Sequence, residues 1–180
     1  MKNNHQYSVS PIRMLTLTAM CLALCLVLPF FTGQIPQIGS ALCPMHLPVL
    51  LCGFLCGPWW AMLVGITAPL LRNLLFSMPP ILTAIAMSFE LAAYGSICGF
   101  MYRKNRKTIG NIYLSLITAM VLGRLLWGIV MVLITGVTGG TFTWAIFLAS
   151  ALTNAVPGIV LQLVLIPVLV STLQKVNYIV

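Results

Sequence analysis

Apolar residues run through the chain in long blocks that polar residues interrupt only briefly. Ile12 to Phe31, Ile81 to Tyr102 and Ile112 to Ile134 each come close to the roughly 20 residues that cross a hydrocarbon core. Met45 to Gly57, Trp59 to Phe76 and Trp144 to Leu173 complete the set. The Met45 block is short for a span, so its helix is expected to begin earlier, near Ser40. The interruptions carry turn chemistry. Thr32 to Pro44 holds Gly33, Pro36, Gly39 and Pro44 and reads as an external loop; Gly57-Pro58 reads as a tight turn. Ser77 to Pro80 and Gly136 to Thr141 read as two further external connections. Pro157-Gly158 and Pro167 predict a kink in the last block. The pattern predicts an all-α integral membrane protein with six transmembrane helices. It is a single transmembrane domain over residues 1–180, with a polar N-terminal tail to about residue 10.

Composition agrees with the pattern. Hydrophobic residues make up 61% of the chain and charged residues 6%, too little polar surface for a soluble domain. There is no room for a separate soluble catalytic domain. A cleaved signal peptide is not expected, because Ile12 to Phe31 is long for an h-region and nothing soluble follows it.

Charge then orients the helices. Lys2 and Arg13 flank the first block; Arg103, Lys104, Arg106 and Lys107 follow the fourth; Lys175 follows the sixth. An even number of spans puts all three groups on one side, and the positive-inside rule makes that side, with both termini, cytoplasmic. Trp59-Trp60 fit the same interface. The net charge of +8 is therefore topological, and a nucleic-acid partner is not expected.

The cysteines are Cys21, Cys25, Cys43, Cys52, Cys56 and Cys98, most of them inside apolar blocks. Cys21/Cys25 and Cys52/Cys56 are i,i+4 pairs that share a helix face. No CxxC pair occurs, so they read as small apolar packing residues rather than as redox or metal groups.

Three ionisable residues lie inside the apolar blocks: Arg72, Glu90 and Arg124, and Glu90 is the only acidic residue of the chain. Such groups are costly at depth and face a protein interior or a wet cavity. Counting about 1.5 Å per residue from the cytoplasmic helix ends puts all three roughly 20 Å up, at one level in the outer half of the bilayer. One reading is structural, with Glu90 neutralising an arginine in a helix-packing bridge and Arg72 snorkelling to the outer surface. The other is a site. Two arginines and one glutamate leave one positive charge uncompensated, which favours a visiting small anion or carboxylate. His46, Asn73, Asn154 and Gln162 are candidates to complete it; each is also an ordinary helix–helix hydrogen-bonding residue. His46 with Cys43 and Met45 is a weak metal pattern, and no metal is expected.

Nucleotide loops, paired carboxylates, HExxH and serine-nucleophile elbows are absent, so no enzyme activity is expected. No internal repeat supports an inverted-repeat transporter. Uphill transport would draw its energy from another chain.

An ordered set of segments resembles a known family. Pro44-Met45-His46-Leu47-Pro48-Val49-Leu50-Leu51-Cys52-Gly53 is similar to the second-helix signature of the S components of energy-coupling factor (ECF) transporters. The resemblance continues through Gly57-Pro58-Trp59, Ala68-Pro69-Leu70-Leu71-Arg72, Met78-Pro79-Pro80, Met87 to Gly95 and Pro157 to Leu163. It implies a small six-helix subunit of the bacterial plasma membrane that captures a vitamin or metal ion near the outer face. The subunit would dock on a transmembrane coupling protein and two cytoplasmic ATPases, which hydrolyse the ATP; no cofactor is implied in this chain. Ala19 and Ala23 match the family's Ala-x-x-x-Ala docking motif, where small residues let another helix approach. Metal-type members carry Met-His at the N-terminus, and Met1-Lys2 departs from that, which leaves a water-soluble vitamin. Pantothenate ranks first because of the spare positive charge, followed by hydroxymethylpyrimidine or pyridoxine, and folate. An autonomous small-solute transporter or channel is the alternative.

Overall fold

The computed structural model describes residues 11–31, 41–140, 143–149 and 155–175. Among these the only regular elements are helices: α1 (Pro11–Phe31), α2 (His46–Cys56), α3 (Pro58–Phe76), α4 (Ile81–Lys104), α5 (Ile109–Thr138), α6 (Trp144–Leu148) and α7 (Val156–Lys175). Five of them, α1, α3, α4, α5 and α7, are long and apolar enough to cross a membrane, and α2 is a shorter apolar helix.

Two expectations need correction. The helix of the second block does not begin near Ser40. A helical turn at Ala41-Leu42 breaks at Cys43, whose φ of 47° is left-handed, and α2 starts only at His46. The described residues of the last block form α6, of 5 residues, and α7, which opens at Val156 with Pro157 in its first turn and holds Pro167 in its interior. A proline costs nothing there, because the first-turn N–H has no intrahelical acceptor. Pro157 therefore starts a helix instead of bending one. The fifth block also overruns its expected end, reaching Thr138 before Gly139 closes it at φ 72°.

Helix α4 is the hub and packs on α2, α3 and α5; α1 lies against α2 and α3, and α7 against α2 and α5. Between apolar helices in lipid the attraction is van der Waals contact, so small residues that admit close approach matter most. A Cβ on Gly53 would come within 2.7 Å of the Gly95 carbonyl oxygen, and one on Gly95 within 2.7 Å of the Ala61 Cβ. One on Gly65 would stand 2.5 Å from the backbone of Leu91 and Ala92. Helices α2, α3 and α4 thus touch backbone to backbone.

The interior divides in two. Cys21 and Cys25 of α1 pack with Val49, Cys52 and Cys56 of α2 and with Ala61, Val64 and Ala68 of α3. Phe54, Tyr94, Tyr102, Leu116 and Ile166 fill the larger gaps between α2, α4, α5 and α7. All six cysteines are buried, as packing residues are.

The ends are tied by polar contacts. At one end the Cys56 thiol donates to the Met14 carbonyl (3.9 Å) and Arg103 Nη2 donates to the Cys56 carbonyl (2.8 Å). Gln174 Nε2 there donates to the Tyr102 hydroxyl and to the Lys107 carbonyl. Gly57 links α2 to α3 at φ 92°, and a Cβ there would overlap the Arg103 guanidinium. At the opposite end Asn73 Nδ2 donates to the Pro79 carbonyl (2.7 Å) and closes the α3–α4 turn, in which the Met78–Pro79 bond is cis.

Candidate functional site

Glu90 lies in the tenth position of α4, on the face that packs inward, and is 1% exposed. Its Oε1 faces His46 Nε2 at 3.4 Å and Arg124 Nη1 at 3.1 Å. These are ion-pair distances without hydrogen-bond alignment, and Glu90 Oε1, both His46 ring nitrogens and Arg124 Nε lack a hydrogen bond. Each side chain arrives by its own route. The break at Cys43 turns the chain so that His46 opens α2 pointing into the bundle, its N–H donating to the Cys43 carbonyl (3.0 Å). Gly123 brings α5 against Tyr94, since a Cβ there would sit 2.5 Å from the Tyr94 ring. Arg124 is the next residue on α5.

Two residues that sequence reasoning missed complete the cluster. Arg124 Nη2 donates to the Cys43 thiol at 3.4 Å. The Tyr94 ring meets His46 edge-on, with centroids 5.0 Å apart. Tyr94 could have been found, because it stands four residues after Glu90 on the same helix face. The sequence marks Cys43 only through the weak metal pattern with His46 and Met45, and not as a residue of the left-handed region. Burial pushes the Cys43 thiol above its usual range, with Arg124 opposing, so it is protonated and neutral at physiological pH.

The other anticipated residues are elsewhere. Arg72 is 3% exposed but does not join Glu90. Its Nη1 donates to the Leu26 carbonyl of α1 at 2.7 Å, and its guanidinium lies over the rings of Phe30 (5.0 Å) and Phe76 (5.4 Å). The head group turns inward onto α1. Asn73 is committed to Pro79. Asn154 lies outside the described residues. Gln162 is buried on α7 with its Oε1 lacking a hydrogen bond. Ala19 and Ala23 lie on the outward face of α1, opposite Thr18, Cys21 and Cys25.

A cavity of about 380 Å³ lies apart from this cluster, between α5 and α6, lined by Leu125, Gly128, Ile129, Val132, Thr143, Trp144 and Phe147. It holds no ionisable side chain. Among the described residues no three His, Cys, Asp or Glu side chains converge as metal ligands would.

The fold and this buried cluster define a multi-helix membrane protein with an ionic centre enclosed among its helices. The chain belongs to the family of ECF transporter substrate-specific components, whose model matches residues 13–170. That family comprises substrate-binding subunits of transporters rather than enzymes. No curated protein and no solved structure matches the chain.

Proposed function

We propose that this S component captures a water-soluble vitamin at the cluster of His46, Glu90 and Arg124, with Cys43 and Tyr94 beside it. The observation that carries the reading is the set of buried polar atoms in that cluster without hydrogen bonds. Unsatisfied buried polar groups are costly, and a ligand that pairs with them recovers the cost. The vitamin is then delivered inward together with a transmembrane coupling protein and two cytoplasmic ATPases. The chain acts as one domain of the bacterial plasma membrane over residues 1–180, with α2 as a sixth, partial span and both termini cytoplasmic. The shared position of Met14, Cys56, Arg103, Lys107 and Gln174 at one end of the bundle supports that orientation, because the basic residues gather there. Pantothenate, hydroxymethylpyrimidine or pyridoxine, and folate are the vitamins to compare. The preference for pantothenate rests on a spare positive charge, and Arg72 places its guanidinium against α1 rather than beside Glu90.

The purified protein in liposomes should bind its vitamin without concentrating it. Accumulation driven by a proton gradient alone would overturn the reading in favour of an autonomous transporter. Ala19→Trp/Ala23→Trp should abolish uptake by the assembled importer and leave ligand binding intact. Uptake at the parent rate would show that this face of α1 does not dock.

A further inference from the structure

The cluster's charge balance and its unfilled hydrogen-bonding positions point to a narrower class of ligand, given the capture-site reading above. Glu90 and Arg124 compensate each other at 3.1 Å. Arg72, the only other arginine buried in a span, is held by a carbonyl and two aromatic faces on the α1 side. Glu90 and Arg124 are the fixed charges of the enclosed centre, and they cancel. A carboxylate bound there would bring one uncompensated negative charge into a region where Glu90 and His46 are 1% and 3% exposed. Burying an unpaired charge is far more costly than burying a neutral polar group that finds its partners.

The open positions agree. Glu90 Oε1 accepts only, Arg124 Nε donates only, and both ring nitrogens of His46 are open beside them. An acceptor thus stands among donors. A carboxylate, which only accepts, would satisfy the donors and face the Glu90 oxygen with another anionic oxygen. A ligand edge with an N–H or O–H donor beside a lone-pair acceptor satisfies both kinds. The Tyr94 and His46 rings add flat apolar surface next to these atoms.

We infer that the site selects an uncharged, donor-and-acceptor edge, of the class of hydroxylated or aminated nitrogen heterocycles, over a free carboxylate, with Glu90 receiving the ligand's donor. The selectivity lies in Glu90 itself: it is the only acidic residue of the chain and rejects anions while binding donors.

The test uses two pairs of probes that differ by one substituent: pyridoxine against 4-pyridoxate, and panthenol against pantothenate. Each is titrated into the detergent-purified full chain. In the pair that binds, the uncharged member should bind at least about tenfold more tightly, the discrimination expected of one charged hydrogen-bonding group. Glu90→Gln leaves Arg124 uncompensated and should swing the ranking toward the carboxylate. Arg124→Met should weaken both members without that swing. A parent protein that prefers the carboxylate member, with affinity lost in Arg124→Met, overturns the inference and leaves the capture site standing. Binding of none of the four probes overturns the inference, and binding indifferent to both substitutions overturns the capture site at this cluster and the inference with it. The measurements on the parent protein decide the ranking even if Glu90→Gln does not fold.

Discussion

Two arginines inside the spans of this bundle, Arg72 and Arg124, are accommodated differently. Arg124 meets a carboxylate, a thiol and unfilled polar atoms in the middle of α2, α4 and α5. Arg72 meets a backbone carbonyl of α1 and lies over two phenylalanine rings between α1 and α3. The first arrangement leaves hydrogen-bonding capacity open and encloses it. The second fills its surroundings with aromatic faces and the α1 backbone. An arginine inside a membrane protein is therefore not by itself a sign of a binding site; what its neighbours leave unsatisfied is the better sign.

The comparison breaks most visibly at Glu90. Removing one member of a buried ion pair leaves the other uncompensated and costs about 3–5 kcal/mol, whereas removing both together is often close to neutral. Glu90→Leu alone should destabilise by that amount, read as the unfolding midpoint in detergent. Glu90→Leu/Arg124→Met should regain most of it. A double variant as unstable as the two single losses added together would mean that Glu90 and Arg124 do not act as a pair.

Arg72→Met is the matching change on the other side and should cost less. It removes a charge-assisted hydrogen bond, worth about 1.5–3 kcal/mol, and the contacts with Phe30 and Phe76. No buried partner charge is stranded. Stability should fall by roughly 2 kcal/mol while vitamin affinity stays at the parent value. A loss of affinity that exceeds the loss of stability would put Arg72 back in the binding site.

The contrast also shows what the chain made legible in advance. Apolar block length gave α1, α3, α4 and α5 within a few residues, because spanning a hydrocarbon core is a one-dimensional requirement. Position along each helix was readable in the same way, since rise along a helix is a count of residues. Azimuth was not. Arg72 lies on the stripe of Ala61, Val64, Gly65, Ala68 and Pro69, and nothing in that stripe says whether its outer end leans on α1 or on α5. The partner it found, the Leu26 carbonyl, is backbone, which no side-chain pattern announces. The start of α7 was hidden for a related reason. Pro157 reads as a kink when the surrounding apolar run is taken as one helix, and as a first-turn residue only once α7 is seen to open at Val156.

Gly123→Ala tests the same contrast more gently. The added methyl meets the Tyr94 ring, whose own position is buried against His46. Overpacking of this kind costs about 1–3 kcal/mol. The displacement should disturb the Glu90 side and spare the Arg72 side. Vitamin affinity should therefore fall in Gly123→Ala and remain unchanged in Arg72→Met, although both variants lose comparable stability. Equal affinities in the two variants would mean that Tyr94 is not coupled to the site.

The smallest effect is expected at Cys43. Serine keeps a donor–acceptor group near Arg124 Nη2 and shares whatever cost the left-handed φ of 47° imposes, so that cost cancels between variant and parent. At pH 7 Cys43→Ser should lie within about 1 kcal/mol of the parent, a difference typical of one neutral hydrogen bond. The two should separate only in alkali. Burial raises the folded thiol above its ordinary value of 9.0, so the folded state holds its proton after the unfolded state has released it. The stability this contributes is complete below that value and is lost as pH climbs past it, by at most about 1.4 kcal/mol per pH unit. Serine does not titrate there. The difference between parent and Cys43→Ser should accordingly be flat from pH 7 to pH 8.5 and move against the parent between pH 9 and pH 10. A difference that stays flat to pH 10 would mean that the Cys43 thiol is not held protonated beside Arg124.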